Sequence, residues 1–293
     1  MLKHYLAIAL MRTATLLPLG AIRWLARSIA RTLGNSNNRH RHIAQTNIAL
    51  TQPSLSDQAR QQLVNRALEQ SLCTTLEMPL IWRRDNVWLQ SKILRVDDDA
   101  ILTSALATNK GVLLICPHVG NWEVLGRYLP RYANTTSLYQ PPKIDWLESF
   151  VKHGREMSGA ELVPTSQRGV ARLLKALQRG EIVGMLPDQV PKQNAGVYAP
   201  FFGVPAYTMT LVYKLLQKTG CQAVLGYTIR EDRGFRIIFK TVPGALYSED
   251  MQESVAALNQ LIETATEEDL AQYQWAYKRF KRQPNGSNPY AIA

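Results

Sequence analysis

Acidic residues are absent from both ends of this chain of 293 residues. No Asp or Glu precedes Asp57 and none follows Asp269, and the net charge is +11. Arginines stand at positions 12, 23, 27, 31, 39 and 41, and the other end carries Lys278, Arg279, Lys281 and Arg282. Such basic ends suit an anionic membrane, a phosphorylated ligand or an acidic protein. Nucleic acid is not expected as a partner, because the chain has no zinc finger, basic zipper or RNA-binding aromatic motif.

Cysteine is scarce. Cys73, Cys116 and Cys221 are widely spaced and odd in number, which excludes a disulfide framework and a CxxC metal pattern. The five histidines form no HExxH or comparable spacing. We therefore expect a reducing compartment and no bound metal.

Long hydrophobic runs are missing as well. Residues 5–22 are mostly apolar, but Arg12 interrupts them and Pro18 and Gly20 weaken a helix. The longest charge-free piece there, 13–22, is far shorter than the roughly 20 residues that a spanning helix needs. No small-residue cleavage site of a signal peptide is present. We expect residues 1–33 to form a membrane-associated helical segment, with an ordinary core-packing helix as the alternative.

Strand-like and helical patterns alternate through the middle of the chain. This alternation predicts an α/β fold with a central, mostly parallel sheet flanked by helices. We expect a single domain over 34–284 and a loose tail over 285–293. The predicted strands are 112–116, 136–139, 161–163, 181–186, 223–229 and 235–241, and the predicted helices are 54–83, 97–109, 144–157, 169–179, 207–219, 248–270 and 273–280.

One stretch, GVLLICPHVGNWEVLG at 111–126, combines a buried strand with chemistry-bearing side chains. His118 follows the strand, and Glu123 stands five residues later in the predicted helix. Open α/β sheets place their ligands at such strand ends. We expect the Glu123 carboxylate to contact the near nitrogen of the imidazole and leave the far nitrogen as a general base. Gly120 and Asn121 at the helix start suggest backbone N–H groups facing a developing negative charge.

Other interpretations of His118 stay open at this point. A lone His at a strand end is often structural. Cys116, two residues earlier, could form a Cys-His nucleophile pair, although its place in the apolar run favours a buried filler. A zinc site would need further ligands.

A second strand end, in 180–203, carries the polar pair Asp188 and Gln189. Asp188 is expected either to hold a basic residue or the catalytic loop, or to cap a turn. Arg155, near the end of a predicted helix, is a candidate for binding phosphate or an oxyanion, or a solvated helix-end residue.

In their order and spacing, several motifs together resemble the lipid A late (secondary) acyltransferases, the lauroyl and myristoyl transferases of the lysophospholipid acyltransferase superfamily. The resemblance covers nearly the whole chain. Its motifs are TNIAL at 46–50, PHVGNWE at 117–123, YQPP at 139–142, GEIVGMLPDQ at 180–189, PFFG at 200–203 and WAYKRFK at 275–281.

The resemblance implies a glycerolipid-acyltransferase-like fold and acyl transfer from acyl carrier protein to a hydroxyl of a lipid A precursor. The reaction would take place at the cytoplasmic face of a bacterial inner membrane. In that family His118 would be the base, Glu123 its partner, and Arg155 and Asp188 active-site supports. No metal or bound cofactor is implied, since the donor carries its own phosphopantetheine. Acyl carrier protein, the anionic membrane and the phosphorylated glycolipid are the implied partners.

Gln140 departs from the family pattern, since relatives often carry Arg there. The acceptor could then be another glycolipid, such as a mannosylated inositol lipid, or a lysolipid. Two alternatives come from other classes: an acyl thioesterase, and a non-enzymatic protein that binds lipid or nucleic acid through its basic ends.

Overall fold

The computed structural model describes residues 15–33, 38–141 and 145–291 of the chain. Its α-helices are α1 (Leu19–Leu33), α2 (Arg39–Thr51), α3 (Asp57–Arg83), α4 (Asn86–Lys92), α5 (Asp99–Ala107), α6 (Trp122–Tyr128), α7 (Asp145–Glu156), α8 (Gln167–Gln178), α9 (Leu211–Thr219) and α10 (Met251–Glu267). Its strands are β1 (Ile93–Asp97), β2 (Val112–Ile115), β3 (Thr135–Tyr139), β4 (Glu161–Pro164), β5 (Ile182–Met185), β6 (Gly196–Phe201), β7 (Val204–Met209), β8 (Gln222–Glu231) and β9 (Gly234–Lys240).

A seven-stranded sheet in the order β1-β9-β8-β2-β5-β3-β4 forms the centre of the fold. The five strands from β8 to β4 run parallel, while β9 runs antiparallel to β8 and parallel to β1. Alternate residues of β2 enter different cores, because side chains of a strand point to opposite faces. Leu113 and Ile115 pack with one core, and Val112 and Leu114 with the other. The predicted α/β fold is confirmed.

Three local predictions differ from the structure. The helix predicted from residue 207 begins only at Leu211, because the segment before it forms the antiparallel hairpin β6–β7. Residues 273–280 form turns rather than a helix. In the tail predicted to be loose, Tyr290 is buried, and its hydroxyl donates to Asn47 Oδ1 at 2.5 Å and accepts from the Phe280 N–H at 2.9 Å.

Helix α1 packs on the domain through one face. Its buried residues recur at helical spacing: Leu19, Ile22, Arg23, Ala26 and Ala30. Of the predicted N-terminal segment, residues 1–14 lie outside the described chain, as does the predicted start of the 144–157 helix. Among the helices that the structure describes, none combines the length and apolar character that crossing a bilayer requires.

A buried ion network ties α1 to α3 and β8. Glu77 is fully buried, and its carboxylate accepts from Arg23 Nε at 2.6 Å and from Arg230 Nη2 at 2.8 Å. Burial acts to raise the pKa of Glu77, but the charge of Arg230, its hydrogen bonds and the charge of Arg23 outweigh burial and hold this pKa below its ordinary 4.5. Arg23 also donates to the carbonyls of Glu231 and Asp232 at 2.5 and 3.0 Å. An arginine of the basic N-terminus thus serves the fold.

Replacing Glu77 by Ala is expected to lower the free energy of unfolding by about 3–5 kcal/mol, because two guanidinium groups stay buried without their counter-ion. Since the folded-state pKa of Glu77 is lowered, its contribution is present above about pH 4.5 and is lost as the pH falls below that value. Urea denaturation between pH 3 and 7 measures both effects (about four pH points suffice).

Glu69→Ala is the matched control on the same helix. Its carboxylate pairs with Arg27 at 3.3 Å on the surface, so a loss below about 1 kcal/mol is expected. Equal losses from the Glu69 and Glu77 variants would contradict the role given to the buried network.

Candidate active site

The in-register pairing of β2 with β5 creates the site. Ile115 lies opposite Met185, and each strand continues through one apolar residue and one proline into a polar side chain. His118 and Asp188 therefore stand at the same offset, three residues beyond a paired position. The carboxyl ends of parallel strands share one edge of the sheet, where such folds bind ligands.

His118 contacts Asp188 twice. Its ring Nδ1 lies 2.7 Å from Asp188 Oδ1, and its backbone N–H donates to Asp188 Oδ2 at 3.0 Å. Burial acts to raise the pKa of Asp188, but the charge of His118 and the bonds from its ring and backbone outweigh burial and lower this pKa. An ionised carboxylate only accepts hydrogen bonds, so the proton of a neutral imidazole belongs on Nδ1. The Nε2 atom then carries the lone pair.

The expected contact between Glu123 and His118 is wrong. Glu123 is buried, with only 3% of its surface exposed. Its Oε2 accepts from Trp82 Nε1 at 2.7 Å and from Arg155 Nε at 2.8 Å, and its Oε1 accepts from Arg155 Nη2. The reason is that α6 places its first turn against α3 and α7. Burial would raise the pKa of Glu123, but the charge of Arg155 and the hydrogen bonds outweigh it and keep this pKa low.

Arg155 lies on α7, which brings it to Glu123 and over the Trp82 ring, with its guanidinium carbon 5.9 Å from the ring centre. It is not a solvated helix-end residue, since its side chain is 28% exposed and borders a cavity next to His118. The Glu123–Arg155 pair thus forms part of the cavity wall.

Gly120 and Asn121 differ from their predicted roles. The N–H of Gly120 donates to the carbonyl of Gln272 at 2.9 Å and is not free for an oxyanion. A side chain at Gly120 would collide with the Thr228 carbonyl, 1.8 Å from an added Cβ, and φ is +56°. Asn121 is buried and donates to Glu77 at 2.9 Å. Asn121 thus ties the loop after His118 to the buried ion network, and Gly120 ties it to Gln272.

A chain of amides approaches the free nitrogen of the imidazole. Gln189 Nε2 lies 3.3 Å from His118 Nε2 and donates to Gln274 Oε1 at 3.0 Å. The Gln274 N–H donates to the His118 carbonyl at 3.1 Å. The strand end predicts Gln189 as a site residue, whereas the sequence does not indicate Gln274, because its segment has the pattern of a closing helix. No spacing in the sequence links residue 274 to residue 118.

Two cavities meet at His118 and Trp122, whose rings form an edge-to-face pair at 4.6 Å. The larger, about 460 Å³, is lined by the apolar side chains of Leu138, Leu162, Met185, Leu186 and Met209 and also by charged ones, Glu123, Arg155 and Lys192. The smaller, about 250 Å³, lies toward α3 and the C-terminal segment and includes Ser71, Thr74, Thr75, Gln274 and Tyr277. A ligand can therefore reach the imidazole from two sides.

The Cys-His alternative is not supported by the environment of Cys116. Its side chain is buried in the core rather than facing His118, and burial, followed by the charges of Asp188 and Glu123, raises the pKa of the thiol. A nucleophilic cysteine needs the opposite shift.

The profile of the family described as bacterial lipid A biosynthesis acyltransferase matches residues 1–282. The chain belongs to that family, and it is an acyltransferase of lipid A biosynthesis.

Two relatives are similar over most of their length, and a third over less than half. The lipid A biosynthesis lauroyltransferase of Escherichia coli (strain K12) is 26% identical over 257 residues, 85% of this chain and 81% of that protein. The lipid A biosynthesis palmitoleoyltransferase of the same strain is 25% identical over 260 residues, 87% of this chain and 83% of that protein. A phosphatidylinositol mannoside acyltransferase of Mycobacterium tuberculosis (strain ATCC 25618 / H37Rv) is 30% identical over 138 residues, 46% of this chain and 43% of that protein.

The burial of the thiols gives a prediction. Cys73, Cys116 and Cys221 are all buried, and burial raises the pKa of each. We expect iodoacetamide to modify none of them in the native protein near neutral pH and all of them after unfolding, as counted by mass spectrometry. Rapid modification of native Cys116 would revive the Cys-His alternative.

Proposed function

We propose that this chain transfers a fatty acyl chain from an acyl carrier protein thioester to a hydroxyl group of a lipid A precursor. The observation that carries the proposal is the His118–Asp188 pair, whose ring stands where two cavities meet. The family supports acyl transfer; the donor, the catalytic roles and the acceptor hydroxyl are our proposal.

His118 acts as the general base. Its Nε2 lone pair takes the proton of the acceptor hydroxyl while that oxygen bonds to the thioester carbonyl carbon. Asp188 keeps the proton on Nδ1 and stabilises the imidazolium that forms. The carbon–sulfur bond then breaks, and the imidazolium returns the proton to the leaving sulfur. The products are the ester and the free thiol of the carrier protein's phosphopantetheine.

The oxyanion of the tetrahedral intermediate needs donors, and the Gly120 N–H is already bound to Gln272. The Gln189 amide directs one N–H to Gln274 and the other toward His118 Nε2. An acceptor hydroxyl that binds at His118 Nε2 displaces this second N–H, which can then donate to the oxyanion. Arg155 adds positive charge in the same cavity wall. The Glu123 carboxylate accepts from two nitrogens of the Arg155 guanidinium and so fixes the orientation of Arg155. Preorganised donors of this kind typically contribute 10²–10³-fold in rate.

The larger cavity is assigned to the acyl chain and the smaller one to the polar head of the acceptor. The apolar side chains that line the larger cavity favour hydrocarbon, since each buried methylene contributes about 0.8 kcal/mol. Tyr277 borders the smaller cavity and its hydroxyl lies 3.3 Å from Lys281 Nζ, so basic charge is available for a phosphorylated sugar. Gln140 is exposed at the larger cavity and adds no charge there.

Of the basic C-terminal cluster, Arg279 is buried against Tyr207 and Thr208 and serves the fold.

Helix α1 is proposed to rest on the cytoplasmic face of the inner membrane. Opposite its buried face, Trp24 is 67% exposed, and Leu16 just before the helix is 76% exposed. Arg27 and Arg31 lie on the same helix. Exposed aromatic and aliphatic side chains next to arginines are typical of helices that lie in an anionic membrane interface.

His118→Ala and Asp188→Asn are expected to lower acyl transfer about 10²–10⁴-fold, because each removes or misorients the general base. The measurement is transfer of radiolabelled laurate or myristate from acyl carrier protein to a lipid A precursor, with thermal unfolding as a check on folding. Released free fatty acid is quantified in the same assay, because a thioesterase would form it without acceptor.

Cys116→Ala serves as the control and is expected to keep transfer within a few-fold of wild type. Wild-type rates from folded His118→Ala protein would refute the mechanism. Fatty acid release that ignores the acceptor would replace the transferase by a thioesterase.

Trp24→Glu is expected to weaken binding to vesicles that contain anionic phospholipid by about tenfold or more, since a buried aromatic side chain contributes about 1.5–3 kcal/mol. Added salt should weaken wild-type binding. The matched control is Leu50→Glu on α2, where Leu50 is 37% exposed. Equal loss from both variants would contradict docking through α1.

A further inference from the structure

The directions of the strands and of helix α6 indicate which end of the larger cavity lies farthest from His118. The parallel strands β2, β5, β3 and β4 end at the edge that carries His118, and α6 starts at this edge and runs back. Gly126 follows Trp122 by four residues, so both lie on one helix face and Gly126 lies about 6 Å deeper. Both residues line the cavity, as does Ala160, just before the start of β4. Gly126 and Ala160 therefore mark the deep end.

Gly126 is a glycine that neither backbone conformation nor close packing requires. Its φ is not positive, and, apart from its chain neighbours and the backbone of its own helix, no heavy atom in the described part of the chain lies within 4 Å of an added Cβ. Two helical glycines differ: a Cβ at Gly154 would meet Trp82 at 2.3 Å, and one at Gly169 would meet the Pro164 carbonyl at 2.0 Å. Gly20 in α1 is also free of close neighbours, but it is exposed and lies outside the cavity. Inside a helix, glycine is less stable than alanine. The missing side chain at position 126 therefore leaves open space in the cavity at a cost to the helix.

We infer that the open space at Gly126 receives the terminal carbons of the donor acyl chain, so that this residue sets the longest chain that the enzyme transfers. The inference rests on the proposed acyl transfer and goes further, because it assigns chain-length specificity to one position. The thioester carbonyl lies at His118, and the hydrocarbon extends along the face of α6. A side chain at position 126 would occupy the volume that the last carbons need.

The test is a series of variants, Gly126→Ala and Gly126→Val, assayed with acyl carrier protein thioesters of saturated chains in steps of two carbons. Each buried methylene is worth about fourfold, so two are worth about fifteenfold. In Gly126→Val, the preference for the longest good donor over the donor two carbons shorter is expected to fall by about fifteenfold. Gly126→Ala should give a smaller shift. Short donors should keep their kcat/KM in both variants.

Gly244→Val is the matched control. Gly244 is exposed, lies outside the cavity, has no positive φ, and would also place a Cβ where no described atom lies within 4 Å. Its chain-length profile is expected to equal that of wild type. Gly126→Ala should also raise the melting temperature, because alanine is the better helix former. This result shows that altered selectivity does not come from unfolding.

The possible results separate the two hypotheses. If wild type transfers acyl chains and Gly126→Val keeps its profile, the proposed function stands and the role of Gly126 is refuted. A uniform loss at every chain length also refutes it, since only chains long enough to reach Gly126 should be affected. If wild type transfers no chain to any glycolipid, both proposals fall.

Discussion

The pairing of β2 with β5 is the constraint on which the site depends. Two neighbouring strands end at the same level, and each passes through a proline into one polar side chain, so His118 and Asp188 meet without any contact that is local in sequence. A slip of one residue would turn the side chains of one strand to the opposite face. Both strands are buried on both faces, which makes such a slip costly.

Buried carboxylates have two different tasks in this protein. Asp188 faces the imidazole, whereas Glu77 and Glu123 bind arginines and connect helices to the sheet edge. Glu77 reaches the loop after His118 through Asn121. The ion pair with Glu77 explains why Arg23 is buried, although the other arginines of the N-terminal segment suit a membrane surface. Arg23, although part of the basic N-terminus, thus stabilises the fold.

At Gly126, the larger cavity stays open at a cost in the stability of helix α6. Most glycines with close neighbours are explained by packing, as at Gly120, where any side chain would strike the Thr228 carbonyl. Gly126 has no such neighbour, and its helix would gain from alanine. Open volume beside His118 suits a substrate with a long hydrocarbon tail. The proposed role of Gly126 would link a small local cost in helix stability to the selection of a ligand.

The sequence alone determined the α/β class, the strand ends at His118 and Asp188, and the family, because these depend on local periodicity and on motifs. It failed for Glu123, where spacing suggested contact with His118, and for Gln274, which no local pattern connects to the site. Only tertiary structure decided these partners, since the packing of α6 against α3 and α7 fixes the direction of Glu123. The carboxylate that contacts His118 comes from 70 residues away, and strand register, which is a property of the assembled sheet, brings it there.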